Sequence, residues 1–494
     1  MKKANAVLFS LLMIISSLAG CIGGEDFDTS DLEKEIADLE ENQESMNQTI
    51  IELRNENEEL TNSLNEKNRT IYDQATLISS LTQRLQDLLS SGSDDDDDSS
   101  DDADDDTPAW LDASDAGYTY ASNVDNHRSL MKDLCDIKAA ASSDGGYDFA
   151  EAKNVYMNGK NAEKSDGSFR TLAGFAAATG KNHGYDSYYG IDGSVDAHIM
   201  AALDGTGDFE GASDVVRYQG ISKLTANLGM VAYTIHELNT AVAKADAGNV
   251  DNYSGAPHNW DEAWAFFHGP DEHYVCSPAR NMERRAADFG TADVNGVAAT
   301  FAATEAAMVS GLAALQASDA DGYNAALNTI MKNIIITYSQ GVLKYTIKMD
   351  SIDNAEKYQA EAYAFWKTME AYAAPHMHDG CYNMEVHRVT MMGDADASAC
   401  DAFIWTNGSG LSDGENDTCY NTVTHAISTD ATSKKECAGY DSSYFMQNYA
   451  STMMSNILDL TDASQLGTSY DVSPWLQPVW DHYGITSDDI GVYM

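Results

Sequence analysis

Along residues 32–88 the apolar positions recur at alternating steps of four and three: Leu32, Ile36, Leu39, Gln43, Met46, Ile50, Leu53, Asn57, Leu60, Leu64, Lys67, Ile71, Gln74, Ile78, Leu81, Leu85 and Leu88. Thirteen of these seventeen seam positions are apolar, which predicts a coiled coil over residues 31–90. With Ile36 at heptad position a, Asn57 also falls at a, where a buried Asn selects one register and favours a parallel dimer. At 1.5 Å per residue the stalk would be about 85 Å long. Beyond Trp110 the pattern shifts to amphipathic helical segments with few strand-like alternations. Ile221, Leu224, Leu228, Val231, Ile235, Leu238 and Val242 predict one helix over 221–245, with Tyr233, His236 and Glu237 on the opposite side. A second helix, over 323–348, aligns Tyr338, Gly341 and Tyr345 on one face. There the missing side chain at Gly341 either leaves two phenols to straddle an ion or serves helix packing. A third helix has Ala355, Tyr358, Ala362, Phe365, Met369 and Tyr372 as its seam, with Glu361 off it. Between these, residues 259–269 place Trp260, Trp264 and Phe267 on one stripe and Asp261 and His268 on an adjoining face. The expected architecture is all-α: a helical-bundle head over 110–494, as one bundle or two packed together, carried on the N-terminal coiled-coil stalk.

The N-terminus modifies that picture. Lys2 and Lys3 precede an apolar run too short to span a bilayer, followed by Leu18-Ala19-Gly20-Cys21. This reads as a signal peptide over 1–20 ending in a lipobox, with Cys21 as the lipidated residue, and predicts an exported chain anchored by lipid at the outer face of the cell membrane. Residues 91–109 form a Ser- and Asp-rich acidic linker that repels itself and cannot pack. The formal charge of the chain is −50, and removing the ten Asp between Asp94 and Asp106 leaves −40, so acidity is distributed throughout. Nucleic acid is thereby excluded as a partner. Apart from Cys21 six cysteines remain, at 135, 276, 381, 400, 419 and 437. An even number in an exported chain predicts disulfides, with the last three in a stapled, loop-rich insertion.

Chemistry enters through a few clusters. His236-Glu237 suggests a metalloprotease helix, but position 240 is Thr where that motif requires a second His. His376, His378, Cys381 and His387 show no tetrahedral zinc spacing. No Gly-x-Ser-x-Gly and no phosphate loop occurs, so the chain does not read as an enzyme.

Five ordered motifs carry a family resemblance. Tyr188-Tyr189-Gly190, the stretch 230–237 ending in His236-Glu237, the stretch 259–269, Gln340-Gly341-Val342-Leu343-Lys344-Tyr345, and Tyr483-Gly484-Ile485 with Gly491 occur in sequence over about residues 147–494. In these the head resembles the low-iron-inducible periplasmic family, the Fe-assimilating proteins and their phytotransferrin relatives. Ser487 stands where that family tends to have Cys, and Tyr338 is not one of its motif positions. The resemblance implies a surface protein that binds ferric iron, with a carbonate-type anion, as a step of uptake into an unidentified transporter. Ferric ion is a hard acid suited to carboxylate, phenolate and imidazole. The implied metal set is His236, Glu237, Asp261, Glu262 and Tyr345, with Lys344 as the anion-binding group. The stalk would make the surface form a homo-oligomer. A structural or adhesive protein with an inert head is the competing expectation.

Overall fold

The computed structural model describes residues 114–351, 353–383, 388–392, 400, 403–406, 418–421, 427–428, 437, 443–446 and 448–494. The signal peptide, Cys21, the stalk and the acidic linker lie outside them. The described part begins with a short antiparallel hairpin, β1 (Ser114–Asp115) and β2 (Tyr118–Thr119). The helices that build the core follow: α1 (Asp125–Ala141), α2 (Tyr185–Tyr189), α3 (Asp214–Lys223), α4 (Met230–Asp246), α5 (Ala256–Phe267), α6 (Ala279–Phe289), α7 (Ala299–Gln316), α8 (Ala320–Ile347) and α9 (Ala355–Ala373). After them come β3 (Gly380–Asn383), β4 (Arg388–Met392), β5 (Phe403–Thr406), β6 (Thr418–Asn421), β7 (Ile427–Ser428) and β8 (Ser443–Met446). Near the C-terminus lie α10 (Tyr449–Ile457) and α11 (Ser473–His482). The head is mostly helical, as the periodicity predicts. Beside the helices, the insertion carries two small antiparallel sheets, β4-β3-β8 and β5-β6-β7.

The helix expected over 221–245 is longer and interrupted. A π-helical turn, Leu224–Gly229, joins α3 to α4, the kind of irregularity that re-aims side chains at functional positions. Its seam residues Ile221, Leu224, Leu228, Val231, Ile235 and Leu238 are all buried. The opposite side is covered too, because α5 packs along α4 and also against α1 and α7. α8 packs on α7 and α9, and α9 returns to α3, so one continuous apolar core runs from Tyr118 to Ile490.

α5 starts after Gly255 with Pro257 in its first turn, where the missing N–H does no harm. Residues 259–267 are all buried, polar ones included, so the helix has no solvated face. Burying one Trp ring, roughly 200 Å² at about 25 cal/mol/Å², contributes on the order of 5 kcal/mol before entropy. Trp260 and Trp264 thus anchor a helix that must also carry buried charge. Their indole N–H groups donate to Met308 O (2.9 Å) and Asp115 O (3.2 Å). At its end Gly269 has φ +65°, and an added Cβ would meet Met131 within 2.8 Å, so a residue without a side chain lets α1 and α5 close on each other.

Two disulfides hold the frame, Cys135–Cys276, which ties α1 to the segment Asp271–Cys276, and Cys381–Cys400. Cys437 is disulfide-bonded as well. Among the described residues no helix is long and apolar enough to cross a membrane.

Candidate metal centre

Three helices converge on Glu262. It lies on α5, 3% exposed, and its Oε1 is 3.2 Å from His258 Nε2 one turn earlier and 3.4 Å from His127 Nε2 on α1. Its other oxygen, Oε2, accepts from Asn259 Nδ2 at 3.3 Å, and the same amide donates to Glu237 Oε2 on α4 at 2.7 Å. Two carboxylates are therefore bridged by one amide and flanked by two imidazoles, with Glu237 itself 4% exposed. The buried Asn259 Oδ1 has no hydrogen-bond partner among the described residues. Burial pushes the Glu262 carboxyl up, but the fields of His127 and His258 more than offset this and hold it below the usual carboxylate range.

Asp261, expected as a metal ligand, sits beside this group with both carboxylate oxygens engaged by hydrogen-bond donors. It accepts from Tyr118 Oη (2.6 Å) on one oxygen and from Ala121 N (2.9 Å), Ser122 N (2.7 Å) and Ser122 Oγ (2.7 Å) on the other. Burial pushes its carboxyl up to about 7, against the pull of Tyr118 and Ser122. Those four donors tie the hairpin to α5. The Ser122 hydroxyl, having given its proton to Asp261, accepts from His258 Nδ1 at 2.8 Å. The proton of His258 then lies on Nδ1, and Nε2 faces Glu262. A lone pair and a carboxylate oxygen 3.2 Å apart are held together by shared positive charge, either a second imidazole proton or a metal ion. Asp261 and Ser122 thus orient the imidazole of His258.

His236 borders the cluster without joining it in the same way. Its Nδ1 accepts from the Asn182 backbone N–H at 2.8 Å, and its Nε2 is 4.0 Å from Glu237 Oε1. A neutral imidazole has one lone-pair nitrogen, and here that nitrogen holds the 182 loop. His268, expected to border the same face as Asp261, is instead stacked between Trp264 and Tyr274.

Tyr345 and Lys344 belong to a second group. Tyr345 stacks on Tyr358 and Phe365, with the Arg285 guanidinium 5.3 Å from its ring and both Arg285 and Glu361 acting electrostatically on its phenol. Burial pushes that phenol well above its ordinary value. Lys344 Nζ bonds Asp288 Oδ1 at 2.8 Å. The alternative that Tyr338 and Tyr345 straddle an ion is corrected: a Cβ on Gly341 would meet Phe365 at 2.6 Å, so Phe365 fills the gap between the phenols.

Among the described residues no three His, Cys, Asp or Glu side chains already form a metal cage. Around Glu262 the donor chemistry and spacing nevertheless suit one. Two ligands about 2.1 Å from a shared ion, at tetrahedral to octahedral angles, lie about 3.0–3.4 Å apart. The two imidazole–carboxylate distances fall in that range. His258 has a sequence signal, since its spacing from Glu262 puts both on one helical face. His127, more than a hundred residues away, has none.

Residues 104–390 match the model of a family described as low iron-inducible periplasmic protein. Every residue of both groups lies within that match. No curated protein and no solved structure matches the chain.

Proposed function

The chain belongs to the low iron-inducible periplasmic protein family, and from that premise we propose that its head binds ferric iron at the cell surface through Glu262, Glu237, His258 and His127. The observation that carries this reading is the approach of two imidazoles, from α1 and α5, to one buried carboxylate oxygen, with a second carboxylate linked through Asn259. Two carboxylates and two imidazoles make a hard, mostly anionic donor set suited to ferric ion. In the iron-free state protons on the imidazoles neutralise the carboxylates; iron replaces them and a carbonate-type anion completes the coordination. The function is capture for assimilation and not catalysis. The chain is exported, held to the membrane by lipid on Cys21, and joined to its copies through the stalk; an unidentified transporter receives the iron.

Iron titration of the full chain with bicarbonate present tests the assignment. One ferric ion per chain is expected, with affinity at least about tenfold weaker in Glu262→Gln and in His258→Ala. Because binding displaces imidazole protons, iron is released as the pH falls. Tyr345→Phe should keep the parent stoichiometry, and loss of iron in that variant alone would move the site to the second group. A parent that binds no iron leaves the adhesive reading standing.

A further inference from the structure

The second group is unusual in a chain with 29 basic and 79 acidic residues. Lys138 from α1, Lys223 from the end of α3, and Arg284 and Arg285 from α6 lie in each other's fields. Of the charged groups acting on Lys223, Glu361 is an anion at 3.9 Å, while Lys138, Arg284 and Arg285 are cations. Arg285 is 4% exposed and lies over Tyr345 and Phe365. Asp288 approaches its Nη2 at 2.9 Å but is shared with Lys344. Its Nε and Nη1 are buried and have no hydrogen-bond acceptor among the described residues. A buried guanidinium with two idle donors is costly unless an acceptor reaches it. Lys138, Lys223 and Arg284 are only half-buried, which leaves that acceptor a route from solvent.

We propose that Lys138, Lys223, Arg284 and Arg285, beside Tyr345, form a binding site for a small inorganic oxyanion of the phosphate class, separate from the iron centre. The unpartnered Nε–H and Nη1–H of Arg285 lie on different edges of the guanidinium and so serve different acceptor oxygens, and the two lysines and Arg284 bring further donors. Donors carried on three separate helices suit a tetrahedral dianion better than a single carboxylate, which presents two oxygens in one plane. Glu361 offsets one of the four positive charges, so the cluster stays net positive by three and attracts a dianion.

Calorimetric titration of inorganic phosphate into the iron-free full chain, in low-salt buffer, decides the matter. One saturable site per chain is expected. Arg284→Gln and Lys138→Gln should each weaken it at least tenfold, and Arg285→Gln should abolish it. Should Arg285→Gln fail to fold by circular dichroism, the two half-buried variants still give the answer. Glu262→Gln should bind phosphate like the parent, so the result is independent of whether iron binds at Glu262. Heat that does not saturate, parent-like binding in both Arg284→Gln and Lys138→Gln, or loss of phosphate binding in Glu262→Gln would each overturn the proposal.

Discussion

At the scale of single residues, neighbours decide what a carboxylate does. Asp261 and Glu262 are adjacent in sequence and both fully packed, yet one is enclosed by four hydrogen-bond donors and the other faces two imidazoles. The first holds a hairpin and, through Ser122, aims His258; the second is the centre of the cluster. Glu262 has a measurable pH signature. Its folded value lies below the unfolded 4.5, so the stability it contributes is complete above about pH 4.5 and is lost as the pH falls toward the folded value. Breaking a buried ionic pair by removing one partner costs about 3–5 kcal/mol. Urea unfolding of iron-free Glu262→Gln should show a deficit of that order at pH 7, narrowing steadily below pH 4.5. A deficit independent of pH would mean that Glu262 is not ionised in the folded protein.

At the scale of elements, Gly341 and Gln340 of the motif ending in Tyr345 serve packing. Gly341 on α8 admits Phe365 of α9 between Tyr338 and Tyr345. Gln340, next to it, donates to Ile490 O at 2.7 Å and so ties the C-terminal segment to α8. Gly341→Ala gains about 1 kcal/mol of helix propensity but drives a Cβ into a buried ring, which costs about 1–3 kcal/mol, so a net loss is expected. The same substitution in a Phe365→Leu background should be less harmful, because the ring it strikes is gone. A double-mutant cycle by chemical denaturation measures the difference; equal losses in both backgrounds would show that Phe365 is not the obstacle. The π turn between α3 and α4 belongs to this scale too, since it allows one long helix to carry Lys223 toward the basic cluster and Glu237 toward the acidic one.

At the scale of the whole molecule, α1 is the helix that brings His127 to α5, and the Cys135–Cys276 disulfide fastens it across a sequence separation of 141. A cross-link over so long a loop removes much freedom from the unfolded chain, and its loss costs about 2–5 kcal/mol. The double variant Cys135→Ala, Cys276→Ala should lose stability by that amount in urea, and its iron affinity should fall with the looser placement of His127. A variant as stable as the parent would show that helix packing alone holds α1.

Periodicity by itself determined the helical class of the head, the extents of α8 and α9, and the apolar seam of α4, because helix formation and the burial of one face are local consequences of spacing. Ordered motifs likewise sufficed to indicate the family, and cysteine parity indicated disulfides. What only the tertiary structure decided is the membership of each site. His127 joins Glu262, Tyr345 joins Arg285 and Glu361, and Asp261 turns toward Ser122. Each of these depends on which faces of distant helices meet, and that is set by the packing of Trp260, Trp264, Gly269 and Phe365 and not by any spacing along the chain. The two small sheets of the insertion escaped periodicity for a related reason: strands of two to five residues are too short for alternation to register, and their pairing supplies the regularity.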